Sequence, residues 1–236
     1  MCGLFGLIGR GARHTKEFST LVKGARRRGV DSSGVVFFDG NRYRVSRADY
    51  DISRLVREQG LGYVEFVAGH SRLITDGEND NQPVVRDGVS VLHNGIITNH
   101  QDLWDRVGKI RQQQIDSEIL PAMVSELVDG GLGFAEAVNE TLRQCVGAVA
   151  AVIVFPALGK LALASNTGSL YTGCKASTLF FASEAFPLRR IGCEDITQVF
   201  DAQLHDIPRS SLEFEVTDVS VHRRPFIAPL GPKSKS

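Results

Sequence analysis

The sequence predicts a layered α+β domain, in which helices pack on β-sheets without alternating regularly with the strands. Predicted strands dominate both ends of the chain, and predicted helices dominate its middle. A doubly wound or barrel α/β fold would need regular alternation of the two, which this order lacks. The 236 residues, 42% hydrophobic and 23% charged, are enough to bury a substantial core.

Apolar patterns predict the elements of the first hundred residues. Residues 2–9 form a continuous apolar run, which is typical of a buried strand. Residues 16–28 are predicted as a helix because their apolar side chains recur at helical spacing. Asp39-Gly40-Asn41 is a hairpin signal. The other elements predicted here are strands at 34–38, 43–46, 63–69 and 90–92 and a helix at 52–59.

The middle of the chain is predicted to be helical and the remainder extended. Helices are predicted at 101–107, 117–128 and 133–145, and Cys145 falls on the apolar stripe of the third, so we expect it in the core. Residues 221–236, rich in Pro, Lys and Ser, are predicted to be a loose tail after a domain of residues 2–220. Strands are predicted at 148–155, 161–164, 170–171, 179–182, 197–204 and 213–216.

Charge and apolar-run length exclude several classes of protein. With 27 basic and 27 acidic side chains the formal net charge is zero, so neither nucleic acid nor an anionic membrane is favoured as a partner. The longest apolar runs are far shorter than the roughly 20 residues of a membrane-spanning helix. The N-terminus lacks the basic region of a secretory signal, which favours a cytoplasmic location. The four cysteines form no C-x-x-C pair and lack zinc-site spacing.

Cys2 is a candidate nucleophile because of its position. It follows Met1 and precedes Gly3, and a small residue at position 2 permits removal of the initiator methionine. Cys2 would then carry a free α-amine, which titrates near ~7.7–8.0 and can act as a general base on its own thiol. The alternative is that Cys2 is only a small apolar residue opening a buried strand.

Two further segments carry groups that can bind a carboxylate or an oxyanion. Arg72, near the end of a predicted strand, can bind a carboxylate through two hydrogen bonds, although a surface salt bridge is the alternative. The Asn94 side chain and the Gly95 backbone N–H can together form an oxyanion hole. Asn-Gly is also the commonest hairpin turn, so a plain turn is the alternative there.

The remaining polar segments have simple structural interpretations as well. Asp116, in Asp116-Ser117-Glu118, stands at the start of a predicted helix, where an N-cap is its simple interpretation. Residues 28–34 form a tight polar turn leading into a strand. The alternative for that turn is an ordinary loop after a basic helix, with Arg26–Arg28 as a solvated helix end.

Taken together, these segments resemble the glutamine amidotransferase domain of the N-terminal-nucleophile (class II) type. They are similar to the glutaminase domains of glucosamine-6-phosphate synthase and amidophosphoribosyltransferase, occur in family order and cover roughly residues 2 to 205. The resemblance implies a four-layer αββα sandwich of the Ntn-hydrolase type. The matching segments are Cys2-Gly3-Leu4-Phe5-Gly6 and residues 28–34, 69–75, 81–83, 93–99, 116–118 and 182–184.

The resemblance also implies roles for single residues. Cys2 would attack the side-chain amide of L-glutamine and form a γ-glutamyl thioester, which water then hydrolyses. Asn94 and Gly95 would stabilise the oxyanion, and the half-reaction would need neither a metal nor an organic cofactor. The residues implied to bind the substrate are Arg72 at the α-carboxylate with Thr75 as its helper, Asp116 at the α-ammonium, and His93.

The ammonia acceptor stays open at this stage. Leu73 and Asp76 stand where the sugar-synthase pattern has Trp and His, and Gln82 stands where that branch often has His. Only a short segment follows the last motif, so we expect ammonia to pass to a separate synthase domain or subunit, for amino-sugar or nucleotide-type biosynthesis. A homo-oligomer is left open. The alternatives are a hydrolase of another γ-glutamyl compound and a non-catalytic regulatory module in which Met1 blocks Cys2.

Overall fold

Two β-sheets stacked face to face form the centre of the structure, and helices cover the outer face of each. The computed structural model describes residues 2–9, 15–61, 64–73 and 80–219. One apolar cluster lies between the two sheets, and a second and third lie between each sheet and its helices. The arrangement is therefore αββα, which confirms the four-layer sandwich expected from the motifs.

The described residues contain thirteen strands and six α-helices, together with 3-10 turns at Asp116–Glu118 and Pro156–Leu158. The strands are β1 Gly3–Ile8, β2 Ser32–Phe38, β3 Tyr43–Ala48, β4 Phe66–Arg72, β5 Val84–Arg86, β6 Val89–Ile97, β7 Gly147–Phe155, β8 Lys160–Ser165, β9 Tyr171–Lys175, β10 Thr178–Ala182, β11 Glu194–Gln198, β12 Asp201–Asp206 and β13 Glu215–Val219. The helices are α1 Thr15–Arg26, α2 Ile52–Glu58, α3 His100–Trp104, α4 Ile119–Asp129, α5 Phe134–Gln144 and α6 Ala185–Arg190.

The sheet order places three strands that carry candidate site residues near one another. The larger sheet runs β11-β9-β10-β1-β4-β2-β3-β13, and the smaller one runs β12-β8-β7-β6-β5. β1 is antiparallel to β4, with Gly3 opposite Ser71, so the start of β1 lies beside the end of β4. β6 lies between β7 and the edge strand β5 in the smaller sheet and contacts both β1 and β4 across the sandwich.

Helix and core predictions for the outer layers agree with the structure. The apolar stripe of α1 packs on the larger sheet and consists of Phe18, Leu21, Val22 and Ala25. Cys145 is buried against the smaller sheet, as its place on a helical stripe predicts, and burial raises the pKa of its thiol to about 12. No helix in the described ranges is long and apolar enough to cross a membrane.

The prediction of a single strand over residues 197–204 is wrong. The structure has β11 and β12 there, and they belong to different sheets. The chain leaves the larger sheet where the Val199 N–H donates to Leu170 O at 2.8 Å, and Asp201 then takes a φ of 55°. An apolar pattern indicates that residues are buried but not which sheet they belong to, so it could not show that the chain passes from one sheet to the other here.

The predicted tail, residues 221–236, lies outside the described residues.

Substitution of Phe181 tests how much the apolar core between the two sheets contributes to stability. Its side chain is fully buried there, so Phe181→Ala should lower the free energy of unfolding by about 3–5 kcal/mol in urea titrations. The control is Phe186→Ala, because Phe186 is 53% exposed and its loss should change stability by less than about 0.5 kcal/mol. Equal losses in the two variants would contradict this assignment of the core.

Candidate active site

Cys2 is held at the start of β1 by its backbone. Arg28 Nε donates to Cys2 O at 2.7 Å, and Arg28 Nη1 donates to Glu184 Oε1 at 2.5 Å. The Cys2 thiol, itself half-buried, donates to Leu73 O at 3.6 Å. The Arg28 side chain is only 14% exposed, so its interpretation as a solvated helix end is wrong.

Burial controls the ionisation of the Cys2 thiol. It raises the thiol pKa above its ordinary value, and the positive charges of Arg72 and Arg28 offset only part of that rise. Because the thiolate is the nucleophilic form, a thiol with a raised pKa needs a base to react at neutral pH.

Arg72 ends β4 and is buried, so the surface salt-bridge interpretation is wrong. Its Nη1 donates to Asp80 O, and its own carbonyl accepts from Asp31 N at 3.0 Å. His70, two residues earlier on β4, is fully buried. Burial lowers the pKa of His70 to about 3, so this imidazole is neutral and brings no charge to the site.

His93, Asn94 and Gly95 lie within strand β6 rather than in a hairpin turn. They pair with β7 in regular register, from Ala151 opposite His93 to Val149 opposite Gly95. Strand alternation places the Asn94 side chain on the face of β6 that looks toward the larger sheet, as for Leu92. The plain-turn interpretation of Asn-Gly is therefore wrong.

Glycine is required at position 95 because the backbones of β6 and β7 lie very close together there. A Cβ at this position would lie 1.8 Å from Ala148 O on the neighbouring strand. Only glycine therefore allows β6 to pair here with β7 while its backbone borders the site.

Asp116 binds strand β6 and not the end of its own helix. Its Oδ2 accepts from Ile97 N at 2.8 Å, and its Oδ1 lies 3.1 Å from Ser117 Oγ. No side-chain cap is formed by the 3-10 turn or by α4 in this described segment, so the N-cap interpretation is wrong. Ser117 Oγ lies 2.8 Å from His93 Nδ1, which links the turn to β6 a second time.

Most of the predicted site residues line one cavity of about 340 Å³. Asn94 is buried beside Gly95 but does not line this cavity, and Thr75 lies outside the described residues. A guanidinium and a carboxylate thus border one cavity with a thiol, an arrangement that can bind a zwitterion next to a nucleophile. The predicted residues among its lining are Cys2, Arg72, His93, Gly95 and Asp116.

A family model described as a glutamine amidotransferase domain matches residues 70–190, just over half of the chain. The chain belongs to the glutamine amidotransferase domain family. The matched range contains Arg72, His93, Gly95 and Asp116, and it begins after Cys2.

Two curated relatives of this amidotransferase domain are much longer proteins. The chain is 29% identical over 237 residues to a glutamine–fructose-6-phosphate aminotransferase (isomerizing) of Rhizobium meliloti, covering 95% of this chain and 38% of that protein. The protein of the same name from Agrobacterium fabrum is 30% identical over 223 residues, covering 90% and 36%. The chain therefore spans less than two fifths of the length of these relatives.

Solved structures share the fold of this amidotransferase domain. Glutamine phosphoribosylpyrophosphate amidotransferase from B. subtilis superposes with a TM-score of 0.70 at 20% identity, covering 87% of this chain and 49% of that one. A predicted glutamine amidotransferase from Pseudomonas aeruginosa PA01 gives 0.51 at 15% identity, covering 87% and 97%. These likenesses confirm the expected four-layer sandwich fold.

Several polar residues that support the site were not predicted as site residues from the sequence. Gln82 and Ser117 line the cavity and hydrogen-bond to each other at 3.3 Å. Ser183 Oγ accepts from Leu4 N at 2.8 Å and anchors β1 behind Cys2. With Arg28, these residues lie inside the matched motifs, which was the available signal. His100 also lines the cavity, and no sequence pattern indicated it.

Gly95→Ala tests the backbone approach at the site. The added Cβ must push against Ala148 O, so we expect a loss of about 3 kcal/mol in the free energy of unfolding, the upper end of overpacking effects. Gly108→Ala is the matched control, since the nearest atom to its Cβ would be Glu126 Oε2 at 3.7 Å. Urea titration compares the two, and an unchanged Gly95→Ala protein would show that the strands are not so closely paired.

Proposed function

We propose that this domain hydrolyses L-glutamine to glutamate and ammonia through a γ-glutamyl thioester on Cys2. The observation that carries the proposal is the shared cavity, in which the Cys2 thiol, the Arg72 guanidinium and the Asp116 carboxylate line about 340 Å³. A free amino acid carries a carboxylate and an ammonium at one end and, in glutamine, a reactive amide at the other. The three groups match those three parts.

Substrate binding would rest on two opposite charges. Arg72 would bind the α-carboxylate, for which its planar guanidinium is suited. Asp116 would bind the α-ammonium through Oδ1, because Oδ2 is already occupied by the Ile97 N–H. Thr75 remains a predicted helper of Arg72.

The first chemical step needs a base for a thiol whose pKa burial has raised. Removal of Met1 would expose the Cys2 α-amine, which takes the thiol proton as sulfur attacks the amide carbon. Asn94 and the Gly95 N–H would stabilise the oxyanion that forms. The C–N bond then breaks, the protonated amine donates its proton to the leaving ammonia, and a water molecule hydrolyses the thioester to release glutamate and restore the thiol.

The ammonia would be used by a synthase domain or subunit. Both curated relatives named above are aminotransferases for fructose 6-phosphate with more than half of their length outside the match. We propose residues 2–220 as the glutaminase unit and an acceptor of the amino-sugar or nucleotide type, in a fused or separate synthase. No metal or organic cofactor enters this half-reaction.

Cys2→Ala tests the nucleophile. We expect glutamate release to fall to background, because no other group in the cavity can form the thioester. Cys174→Ala is the matched control, since Cys174 is exposed and outside the cavity, and it should keep full activity. Intact mass spectrometry must show that Met1 is absent in the protein assayed. Undiminished release from Cys2→Ala would overturn the mechanism.

Asp116→Asn tests recognition of the α-ammonium. Losing one charged hydrogen bond should raise KM for glutamine roughly 10- to 100-fold, in line with 1.5–3 kcal/mol for such bonds. Asp129→Asn, at the exposed end of α4, should leave KM unchanged. If bulkier γ-glutamyl amides turned over faster than glutamine in the wild type, the γ-glutamyl hydrolase alternative would replace the proposal.

A further inference from the structure

Gln82 bridges two parts of the site that are distant in sequence. Its Oε1 accepts from the His93 backbone N–H at 2.6 Å, and its Nε2 donates to Ser117 Oγ at 3.3 Å. It is 4% exposed and lines the cavity. Strand β6, which carries Asn94 and Gly95, is thereby tied to the turn that carries Asp116.

The orientation of the Gln82 amide follows from its partners. The backbone N–H of His93 can only donate, so it must meet the amide oxygen and not the amide nitrogen. The amide nitrogen then donates to Ser117 Oγ. A close backbone contact also places this residue, because a Cβ on Gly34 would lie 1.8 Å from Gln82 O.

The His93 ring has two partners of different character. Its Nε2 lies 3.3 Å from Ala148 O, which can only accept, and its Nδ1 lies 2.8 Å from Ser117 Oγ. Burial lowers the pKa of His93, so the ring is neutral and carries one proton. The carbonyl favours that proton on Nε2, which leaves Nδ1 to accept the Ser117 hydroxyl hydrogen.

These donors and acceptors form a closed ring. The His93 N–H donates to Gln82, Gln82 donates to Ser117, and Ser117 donates to His93 Nδ1. The hydroxyl hydrogen of Ser117 is then directed away from Asp116, whose Oδ1 lies 3.1 Å from Ser117 Oγ. That carboxylate oxygen is left with a lone pair for a positively charged ligand.

We propose that Gln82 is a positioning residue, which closes this ring and so holds the oxyanion strand and the Asp116 carboxylate in the geometry that glutamine hydrolysis needs. The proposal rests on the proposed glutaminase function. It assigns the His93 ring a supporting role, because both of its nitrogens already have protein partners.

Three substitutions at Gln82 separate hydrogen bonding from packing. An ionised Gln82→Glu accepts from His93 N–H but cannot donate to Ser117 until it is protonated. A neutral Gln82→His has one accepting and one donating nitrogen, and protonation removes the acceptor. Gln82→Met fills the space without either bond. At pH 7.5 we expect kcat/KM to fall roughly 10- to 100-fold in Gln82→Glu and Gln82→Met, and less in Gln82→His.

The pH dependence gives opposite signs for the two titratable variants. Relative to wild type, kcat/KM of Gln82→Glu should rise as pH falls from 8 to 5.5, and that of Gln82→His should decline. Gln82→Met should show no slope. Using the ratio to wild type cancels titrations common to both proteins. The titratable and charged groups at this end of the sandwich, among the described residues, include Cys2, Arg28, His70, Arg72, Asp80, His93, His100, Asp116, Glu118 and Glu184.

Nitrogen-15 NMR of the His93 ring tests the hydrogen-bond ring without turnover. Wild type should show a neutral ring protonated at Nε2, and Gln82→Met should show a mixture of tautomers. Gln198→Glu is the matched control. Gln198 lies in β11, away from the cavity, and its side chain donates to Gly168 O, so this substitution should alter neither readout.

The positioning role would be overturned if kcat/KM relative to wild type did not change with pH in any of the three variants and the His93 tautomer in Gln82→Met were the same as in wild type. Retention of activity by Cys2→Ala would instead overturn the proposed function, and the NMR result would still decide whether the hydrogen-bond ring exists. Thermal unfolding of each variant shows whether it is folded. If Gln82→Met does not fold, the pH dependence of Gln82→His still tests the proposal.

Discussion

The apolar contact between the two sheets is the interaction on which the rest of this structure depends. Large side chains of both sheets, including Phe66, Phe181, Leu92 and Val152, are buried there from water. Their burial aligns β1 and β4 of one sheet with β6 of the other. Cys2, the proposed nucleophile, and β6, the strand that carries Asn94 and Gly95, belong to different sheets, so the cavity exists only because these apolar faces pack together.

At the end of this apolar core the chain places a connected polar network, and the physical reason is the cost of burying polar groups. An unpaired buried donor or acceptor costs about 1–3 kcal/mol, so side chains such as Gln82, Ser117 and Asp116 satisfy one another. The same hydrogen bonds determine orientation, since each donor has one suitable acceptor. Stability and the geometry of the site therefore have a common origin here.

A buried ion pair supports the same region from the side away from the cavity. Arg86 Nη1 lies 2.5 Å from Glu118 Oε1, and both side chains are almost fully buried. The Glu118 carboxylate also accepts from the backbone N–H groups of Gln112 and Gln113. The turn that carries Asp116 is thus held from two sides, by the cavity network and by this pair, which favours a site formed before any ligand binds.

Local pattern was sufficient for much of the fold. The α1 stripe and the burial of Cys145 agree with the prediction, and Cys2, Arg72, Gly95 and Asp116, which the family resemblance predicts as site residues, line one cavity. Short elements such as β5 and α6 were missed, because three to six residues carry too little periodicity to be distinguished from a loop.

The sequence by itself determined the layered class, the family and the identity of the chemical groups, because these depend on residue types and their order along the chain. Only the tertiary structure decided how the groups are used. Asn94-Gly95 lies in a strand and not in a turn because β7 pairs along it, Arg28 is half-buried because it contacts Cys2 and Glu184, and Gln82 joins His93 to Ser117. These contacts join residues far apart in sequence, so no local pattern carries them.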